Sequence, residues 1–399
     1  MTETAPVDAD FFTHNHVDPY QGYEALRQGC PVYHDETTGA YFVSRYDDVV
    51  EVFRNPAKFS ARAHRLNTLV SAARAGKLDE LGEPRRVALV ADDDPYHAFL
   101  RSLMARSFTP RAIKELTPTV EGIAAQLFEN MPPDQVVDVL PVLCVPLPSR
   151  TIAAMYGLPE HDYLRFNEWT EGFLSPEPEV YDPAVEAFND YFRTEIHDRK
   201  ARPREDMVTR LAQATMADGT PLPEEEVLAL LRQNILAGNE TTTNLLASML
   251  FLLAQDPQLW SEARQDRTLV SSIVEETLRF ESPSQWIPRR ARADVTIDGV
   301  AIPKDATVLP MMGSANRDGG RWTRPDKFDP KVEPAARHLA FGLGVHFCVG
   351  APLARLEATV ALDGLLDRFA SVETAGEPTI TDVFLGTRGY RSMPLRFNT

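Results

Sequence analysis

From Pro223 to Gln255 the chain carries about thirty residues with apolar positions at helical spacing. Gly219-Thr220-Pro221-Leu222-Pro223 marks the start. Glu224, Glu225 and Glu226 then fill a first turn, where carboxylates meet the positive end of the helix dipole. The spacing predicts one helix from about Glu224 to Gln255, far longer than the globular mean of about 11–12 residues. A helix of that length spans most of a domain, so the rest of the chain must pack around it. Its middle reads Ala237-Gly238-Asn239-Glu240-Thr241-Thr242-Thr243. Glycine and β-branched threonines are weak helix formers. A threonine hydroxyl can also bond back to the i−4 carbonyl and bend the helix. A Thr-bearing surface turn would be the plain reading. It explains poorly why a buried apolar helix should carry Asn-Glu-Thr-Thr-Thr at mid-length.

A second stretch carries reactive chemistry. Phe341-Gly342-Leu343-Gly344-Val345-His346-Phe347-Cys348-Val349-Gly350 places one cysteine in a short loop with three glycines. Glycine tolerates positive φ and lets backbone approach a ligand closely. The next segment, Ala351 to Leu362, has an apolar stripe at helical spacing, with Gly350 and Pro352 suited to its first turn. Cys348 therefore lies just before a helix N-terminus, where the dipole and free N–H groups stabilise a thiolate. A lone cysteine is more often a small buried hydrophobe; the surrounding pattern F-G-x-G-x-H-x-C-x-G argues otherwise.

That pattern resembles the haem-ligand loop of the cytochrome P450 family, in which a cysteine thiolate is the axial ligand of haem iron and pushes electron density toward O–O cleavage. Other segments carry the same resemblance, from about residue 15 to the end. The mid-helix Gly238-Asn239-Glu240-Thr241-Thr242 resembles the family's acid–alcohol pair, implying that Ala237 borders the haem, that Thr241 hydrogen-bonds the distal oxygen and that Glu240 relays protons. Many relatives have Asp where Glu240 stands. Asp94-Pro95-Tyr96-His97-Ala98-Phe99-Leu100-Arg101 resembles a D-P-x-H-x-x-x-R motif, whose His97 and Arg101, on one helix face, would reach haem propionates. Arg289, with Arg290 as the alternative, and His346 are expected at the same propionates. Phe341, Gly342 and Gly350 are expected to shape the haem loop. Glu276 and Arg279 resemble the family's E-x-x-R pair, a structural feature that an arginine of the later meander, here Arg324, would join. Ala315-Asn316-Arg317-Asp318 and Pro325 to Pro330 match further family segments.

The resemblance implies a mainly α fold with small β-sheets, with residues 1–399 as one domain and the long central helix over a buried haem. Hairpin strands are expected at Tyr33–Asp35 and Ala40–Ser44, strands over Val295–Ile302 and Thr307–Met312, and helices near Gly22–Gln28, Leu69–Gly76 and from Asp94. Proline-rich breaks are expected at Met131-Pro132-Pro133 and Leu147-Pro148, and an irregular lid over Phe173–Glu179. The substrate pocket is expected to use Asn234, Gln285, Trp286, Ile287 and Phe384, the last in a turn over Val383–Gly386. Arg62, His64, Arg65, Asn67, Gln285 or Arg388 could hold a substrate carboxylate.

The implied activity is insertion of one atom of O2 into a small or medium apolar organic molecule, with haem b as cofactor. No convincing G-x-G-x-x-G and no four-cysteine cluster appears, so electrons are expected from a separate ferredoxin-type protein. That partner would dock near Arg101, Arg106, Arg337 and Arg355 on the Cys348 side. An H2O2-driven peroxygenase, an NO reductase of the same fold and a non-catalytic haem binder remain the alternatives. The net charge of −17 argues against nucleic acid and anionic membrane as general partners. The three cysteines, widely spaced and without a CxxC, fit a reducing compartment. Met1 to Asp8 is acidic and polar, with no apolar leader, and the expectation is a cytoplasmic protein.

Overall fold

The computed structural model describes residues 18–399, apart from 85, 176, 334–335 and 381–385. Its helices are α1 (Tyr20–Gly29), α2 (Tyr46–Arg54), α3 (Leu66–Arg74), α4 (Tyr96–Ala105), α5 (Pro110–Phe128), α6 (Pro146–Met155), α7 (Tyr163–Leu174), α8 (Pro178–Ala201), α9 (Met207–Ala212), α10 (Glu224–Ala254), α11 (Pro257–Gln265), α12 (Leu269–Phe280), α13 (Met312–Ala315) and α14 (Ala351–Arg368). The strands are short, so the fold is mainly α with small sheets.

α10 is the axis of the molecule. It is apolar on most sides, as expected for a helix with partners all around. Toward its N-terminus, Val227, Leu228, Leu230, Leu231 and Ile235 join Tyr156, Phe166, Trp169, Phe188 and Phe192 in one core. Toward its C-terminus, Leu245, Leu246, Met249, Leu250 and Leu253 pack with Val120, Leu127 and Phe128 of α5 and Ala361, Leu362 and Leu365 of α14 in another. The two apolar halves are thus consumed by packing, and the polar insert lies between them.

β1 (Val32–His34) and β2 (Tyr41–Val43) form the expected hairpin, pairing Val32 with Val43 and His34 with Tyr41. They belong to a five-stranded sheet of order β1-β2-β8-β5-β3, with β3 at Phe59–Ser60, β5 at Arg289–Ala291 and β8 at Thr307–Pro310. The Val295–Ile302 region is a hairpin rather than a continuous strand. β6 (Val295–Ile297) and β7 (Val300–Ile302) turn at Asp298 (φ 44°) and Gly299 (φ 78°). Two positive-φ residues are what a tight type I′ hairpin requires, and Asp-Gly supplies them. A third sheet orders β4 (Val136–Asp138), β12 (Pro394–Asn398) and β9 (Ser371–Thr374), and β10 (Thr379–Ile380) pairs with β11 (Tyr390–Ser392) in another.

Two expected breaks are different. Leu147-Pro148 does not interrupt a helix; it lies in the first turn of α6, which Pro146 opens. First-turn N–H groups have no intrahelical acceptor, so prolines there cost no hydrogen bond. The irregular Phe173–Glu179 stretch is also shorter than expected. α7 runs through Leu174 and α8 begins at Pro178. The two helices approach so closely that a Cβ on Gly172 would lie 2.4 Å from the Ala184 Cβ.

Glu357 on α14 is 1% exposed, and its Oε1 has no hydrogen-bond partner among the described residues. Burial pushes its pKa up to about 8, opposed by the Thr151 hydroxyl. That hydroxyl already donates to Leu147 O at 2.9 Å, so a protonated Glu357 can donate to it in turn. The sign follows. The folded state binds this proton more tightly than the unfolded chain, so the contribution is full at low pH. It is lost, by up to about 1.4 kcal/mol per pH unit, as pH rises from the unfolded value toward about 8. Glu357→Gln should flatten the stability curve between about pH 5 and pH 8 and exceed the parent's stability at the upper end, read by urea unfolding at stepped pH.

Candidate active site

The Cys348 loop is built backbone first. Cys348 N–H donates to Phe341 O at 2.9 Å, and Gly342 N–H to Leu339 O at 2.8 Å. Gly342 (φ 66°) and Gly344 (φ 74°) adopt the left-handed region. Gly344 has a second reason to be glycine: a Cβ there would stand 2.5 Å from the backbone oxygen of Phe53. Gly350 is the N-cap of α14 with φ −81°, so backbone freedom does not require glycine there, and a Cβ would make only an ordinary contact, 3.8 Å from the Cys348 sulfur. The Phe341 and Phe347 rings meet edge to face at 6.2 Å.

Cys348 is exposed, whereas Cys144 is buried and Cys30 half-buried. Burial of its surroundings nevertheless raises the thiol pKa. The N–H groups of Gly350 and Ala351, and the charges of Arg101 and Arg355, pull the other way. The helix terminus thus acts as expected but does not win alone. A coordinated cation deprotonates a thiol outright, so this accessible sulfur suits a metal ligand better than a free thiolate.

Beside it lies a cluster of nitrogen donors. His97 on α4 is 1% exposed; its Nδ1 sits 3.1 Å from Asp94 Oδ1, and its Nε2 has no partner among the described residues. Its ring is 3.9 Å from that of His346. Burial, then the charges of Arg289 and His97, push His346 down to about 3, so it is neutral. Arg289 is 4% exposed and lies over the Phe53 ring at 5.3 Å. Burial pulls it down to about 10, with Asp93 opposing. Asp93 is committed elsewhere: it accepts from Ala61 N–H at 2.9 Å and pairs with Arg292 at 2.6 Å. The Arg289 guanidinium donates to Pro288 O at 2.9 Å; with the orphaned imidazole nitrogen it forms a donor set that has no anion paired to it among the described residues. The alternative, Arg290, faces outward and pairs with Glu83 and Asp305. Arg101 acts on both His346 and Cys348. The set fits a group bearing carboxylates next to a thiolate-bound metal, the two chemical demands of haem.

On α10, Ala237 is exposed although its neighbours are packed. Thr241 lies one turn on and donates to Ala237 O at 2.7 Å. Helical structure continues unbroken through this point, so the back-bonded hydroxyl does not open the helix. Gly238 allows close packing, since a Cβ there would lie 2.6 Å from Ile152 Cδ1. Of the three threonines, Thr242 and Thr243 are buried, and Thr243 donates to Cys144 O at 3.0 Å. Thr241 alone of the three shares the Ala237 face. Glu240 is largely enclosed, and burial raises its pKa. The Thr387 hydroxyl donates to its Oε1 at 2.7 Å, and Arg65 acts across space. No sequence signal pointed to Thr387, which is 147 residues away.

Glu276 and Arg279 form the bidentate pair, with both N···O distances at 2.7 Å. Arg324 does not join them; it pairs with Asp329 at 2.9 Å near the surface. The meander instead offers backbone. Arg279 donates to the carbonyls of Asn316 (3.0 Å), Pro325 (2.8 Å) and Lys327 (2.8 Å), and Asp329 N–H donates to Glu276 Oε1 at 2.9 Å. Five planar donors suit several carbonyls better than a second arginine. Asn316 Oδ1 in turn accepts from Leu339 N–H at 2.7 Å, tying the pair to the Cys348 loop.

The pocket expectations fare less well. Gln285 is fully buried; it accepts from Tyr23 OH at 3.0 Å and donates to Ser282 O at 2.6 Å, so it is a core crosslink and does not face a ligand. Trp286 packs with Tyr20, Tyr23, Phe42 and Leu309. Ile287 is half-buried against the sheet core. Asn234 lies 2.9 Å from Tyr156 OH. Phe384 falls outside the described residues. Among the proposed carboxylate holders, Arg388 is paired with Glu281 at 2.8 Å, His64 Nε2 sits at Gly82 O at 3.1 Å, Asn67 accepts from Thr68 N–H, and Arg62 approaches Asp92 at 3.9 Å. Arg355 is likewise engaged, gripping Glu275 with two nitrogens at 2.5 and 2.9 Å.

The chain is similar to a family of known proteins. The family model described as Cytochrome P450 matches residues 149–387. Cytochrome P450 109 of Bacillus spizizenii is 36% identical over 369 residues, covering 90% of this chain and 86% of its own. Cytochrome P450 monooxygenase PikC of Streptomyces venezuelae is 33% identical, covering 95% and 91%. Among solved structures, CYP109Q5 from Chondromyces apiculatus superposes with a TM-score of 0.84 at 34% identity over 99% of this chain and 97% of that one. CYP109E1 from Bacillus megaterium, solved with testosterone, gives 0.84 at 30% identity over 96% and 99%. Among the described residues no helix is long and apolar enough to cross a membrane.

Proposed function

This chain belongs to the bacterial cytochrome P450 monooxygenases, a family that uses haem b and O2, and on that premise we propose that Cys348 would supply the thiolate that binds the haem iron and that the substrate is a small or medium apolar organic molecule. Haem b, when bound, supplies an iron that takes electrons and cleaves O2. His97, Arg101, Arg289 and His346 would hold its propionates, and Phe341, Gly342 and Gly350 would shape the loop that presents Cys348. The observation that carries this assignment is the accessible Cys348 sulfur beside two buried donors: His97 Nε2, which has no partner among the described residues, and Arg289, whose acceptor there is the Pro288 carbonyl and not a carboxylate.

Glu240 and Thr241 would move protons at the Ala237 face of α10. Glu240 holds a proton at its carboxyl more readily than an exposed glutamate, because burial disfavours its charge. Thr241 offers its hydroxyl hydrogen once it turns from Ala237 O. Ala237 leaves room above this face. A ferredoxin-type protein supplies electrons, docking near Arg101, Arg106 and Arg337; Arg355, held by Glu275, contributes less. The relatives include one solved with testosterone and one with erythromycin B, which supports an organic substrate without naming it. Cysteines that remain unpaired fit the cytoplasm.

The intact acid–alcohol pair favours O2 activation over direct use of H2O2. Glu240→Gln should lower product formation by roughly 10²–10³-fold, within the range of lost general acid catalysis. It should leave haem binding unchanged and divert electrons to peroxide. Product, NADH and peroxide are measured together with a surrogate ferredoxin and its reductase. Unchanged coupling in the variant would favour the peroxygenase reading.

A further inference from the structure

The acid of the proton relay has a holder that comes from the far end of the chain. Thr387 Oγ1 donates to Glu240 Oε1 at 2.7 Å. Its backbone has little freedom. Ser284 and Thr387 face each other in an antiparallel bridge. Gln285 N–H donates to Gly386 O at 2.8 Å, and Arg388 N–H donates to Pro283 O at 2.8 Å. The Arg388 side chain adds an ion pair to Glu281 at 2.8 Å. The segment carrying the hydroxyl is therefore clamped on both flanks, and the hydroxyl is delivered to one place.

We propose that Thr387 is the positioning residue of the relay, holding the Glu240 carboxylate in one orientation beside the Ala237–Thr241 face. The proposal rests on the reading of Glu240 and Thr241 given above. A threonine hydroxyl has one proton, and here it is spent on a carboxylate oxygen, which stabilises the charged form. When Glu240 takes up a proton the two can exchange roles, with the carboxyl donating and Thr387 accepting. The bond thus survives both protonation states while its direction reverses. Burial by itself pushes Glu240 toward the protonated form; Thr387, with the charge of Arg65 from the N-cap of α3, opposes that. Thr387 acts through Glu240 and has no role of its own toward substrate.

Infrared difference spectra of the resting holoenzyme test this without turnover. The carbonyl absorption of the protonated Glu240 carboxyl is followed against pH, and Glu240→Gln identifies the band by removing it. Thr387→Val, and Thr387→Ala without added bulk, should each raise the titration midpoint by about 1 pH unit. Thr387→Ser, which keeps the hydroxyl, should restore it. In the reconstituted system the Val and Ala variants should also send a several-fold larger share of NADH electrons to peroxide, with Ser again restoring the parent value. The reduced CO spectrum of each variant reports separately whether the thiolate site is assembled, so loss of that signal would count against the underlying reading and not against Thr387. Parent-like titration in the Val and Ala variants, or an equal shift in the Ser variant, would overturn the proposal.

Discussion

Reduced with dithionite under CO, the parent protein should give a Soret band near ~450 nm, and Cys348→Ala should lose it, because only a proximal thiolate pushes enough electron density onto the iron. The loss should be specific. Cys348 is the exposed cysteine of the three; Cys30 bonds to the Val32 carbonyl at 3.4 Å, and Cys144 is fully buried, with its thiol pushed far up by burial. Neither can replace the missing ligand. The fold should survive, since the loop is held by backbone bonds such as Cys348 N–H to Phe341 O and not by the sulfur. Far-ultraviolet circular dichroism checks that point. A parent band near ~420 nm would remove the thiolate from the mechanism.

The second large effect is structural. Glu276→Ala should destabilise the protein by about 3–5 kcal/mol, the range for removing one partner of a buried ion pair. Arg279 is 4% exposed and would keep its charge with no carboxylate partner, only carbonyls and the Phe280 and Trp322 rings beside it. The Asp329 N–H would also lose its acceptor. Because Asn316 links the Arg279 neighbourhood to Leu339 just before the haem loop, haem retention should fall along with the urea midpoint. Glu276→Gln keeps an acceptor for Asp329 and should cost less. A loss below about 1 kcal/mol in the Ala variant would mean that the pair is no better than a surface bridge.

Much of the architecture was legible in the chain because it follows from local rules. The central helix ends within a residue of the predicted limits, since three acids after a proline announce its start and a long apolar run sustains it. The Cys348 loop was legible because its glycines answer backbone demands: Gly342 and Gly344 do adopt positive φ. The misread features failed for local reasons too. Leu147-Pro148 looked like a break because proline breaks helix interiors, and whether a proline falls in the first turn depends on where the helix begins.

The sequence by itself determined which side chains bring chemistry: one cysteine before a helix, a histidine and an arginine one turn apart on α4, and an acid and an alcohol in the middle of a helix. Each is a short-range pattern, readable because helical spacing ties position to direction. What those side chains face was decided by tertiary structure. Gln285 became a core crosslink because Tyr23 and Ser282 reached it first. Arg289 went inward and Arg290 outward because neighbours on a strand point to opposite faces. Glu240 acquired Thr387 only because a bridge to Ser284 brings residue 387 against α10. Hydrogen bonds and burial depend on distance in space, and partners more than a hundred residues apart leave no trace in any local pattern.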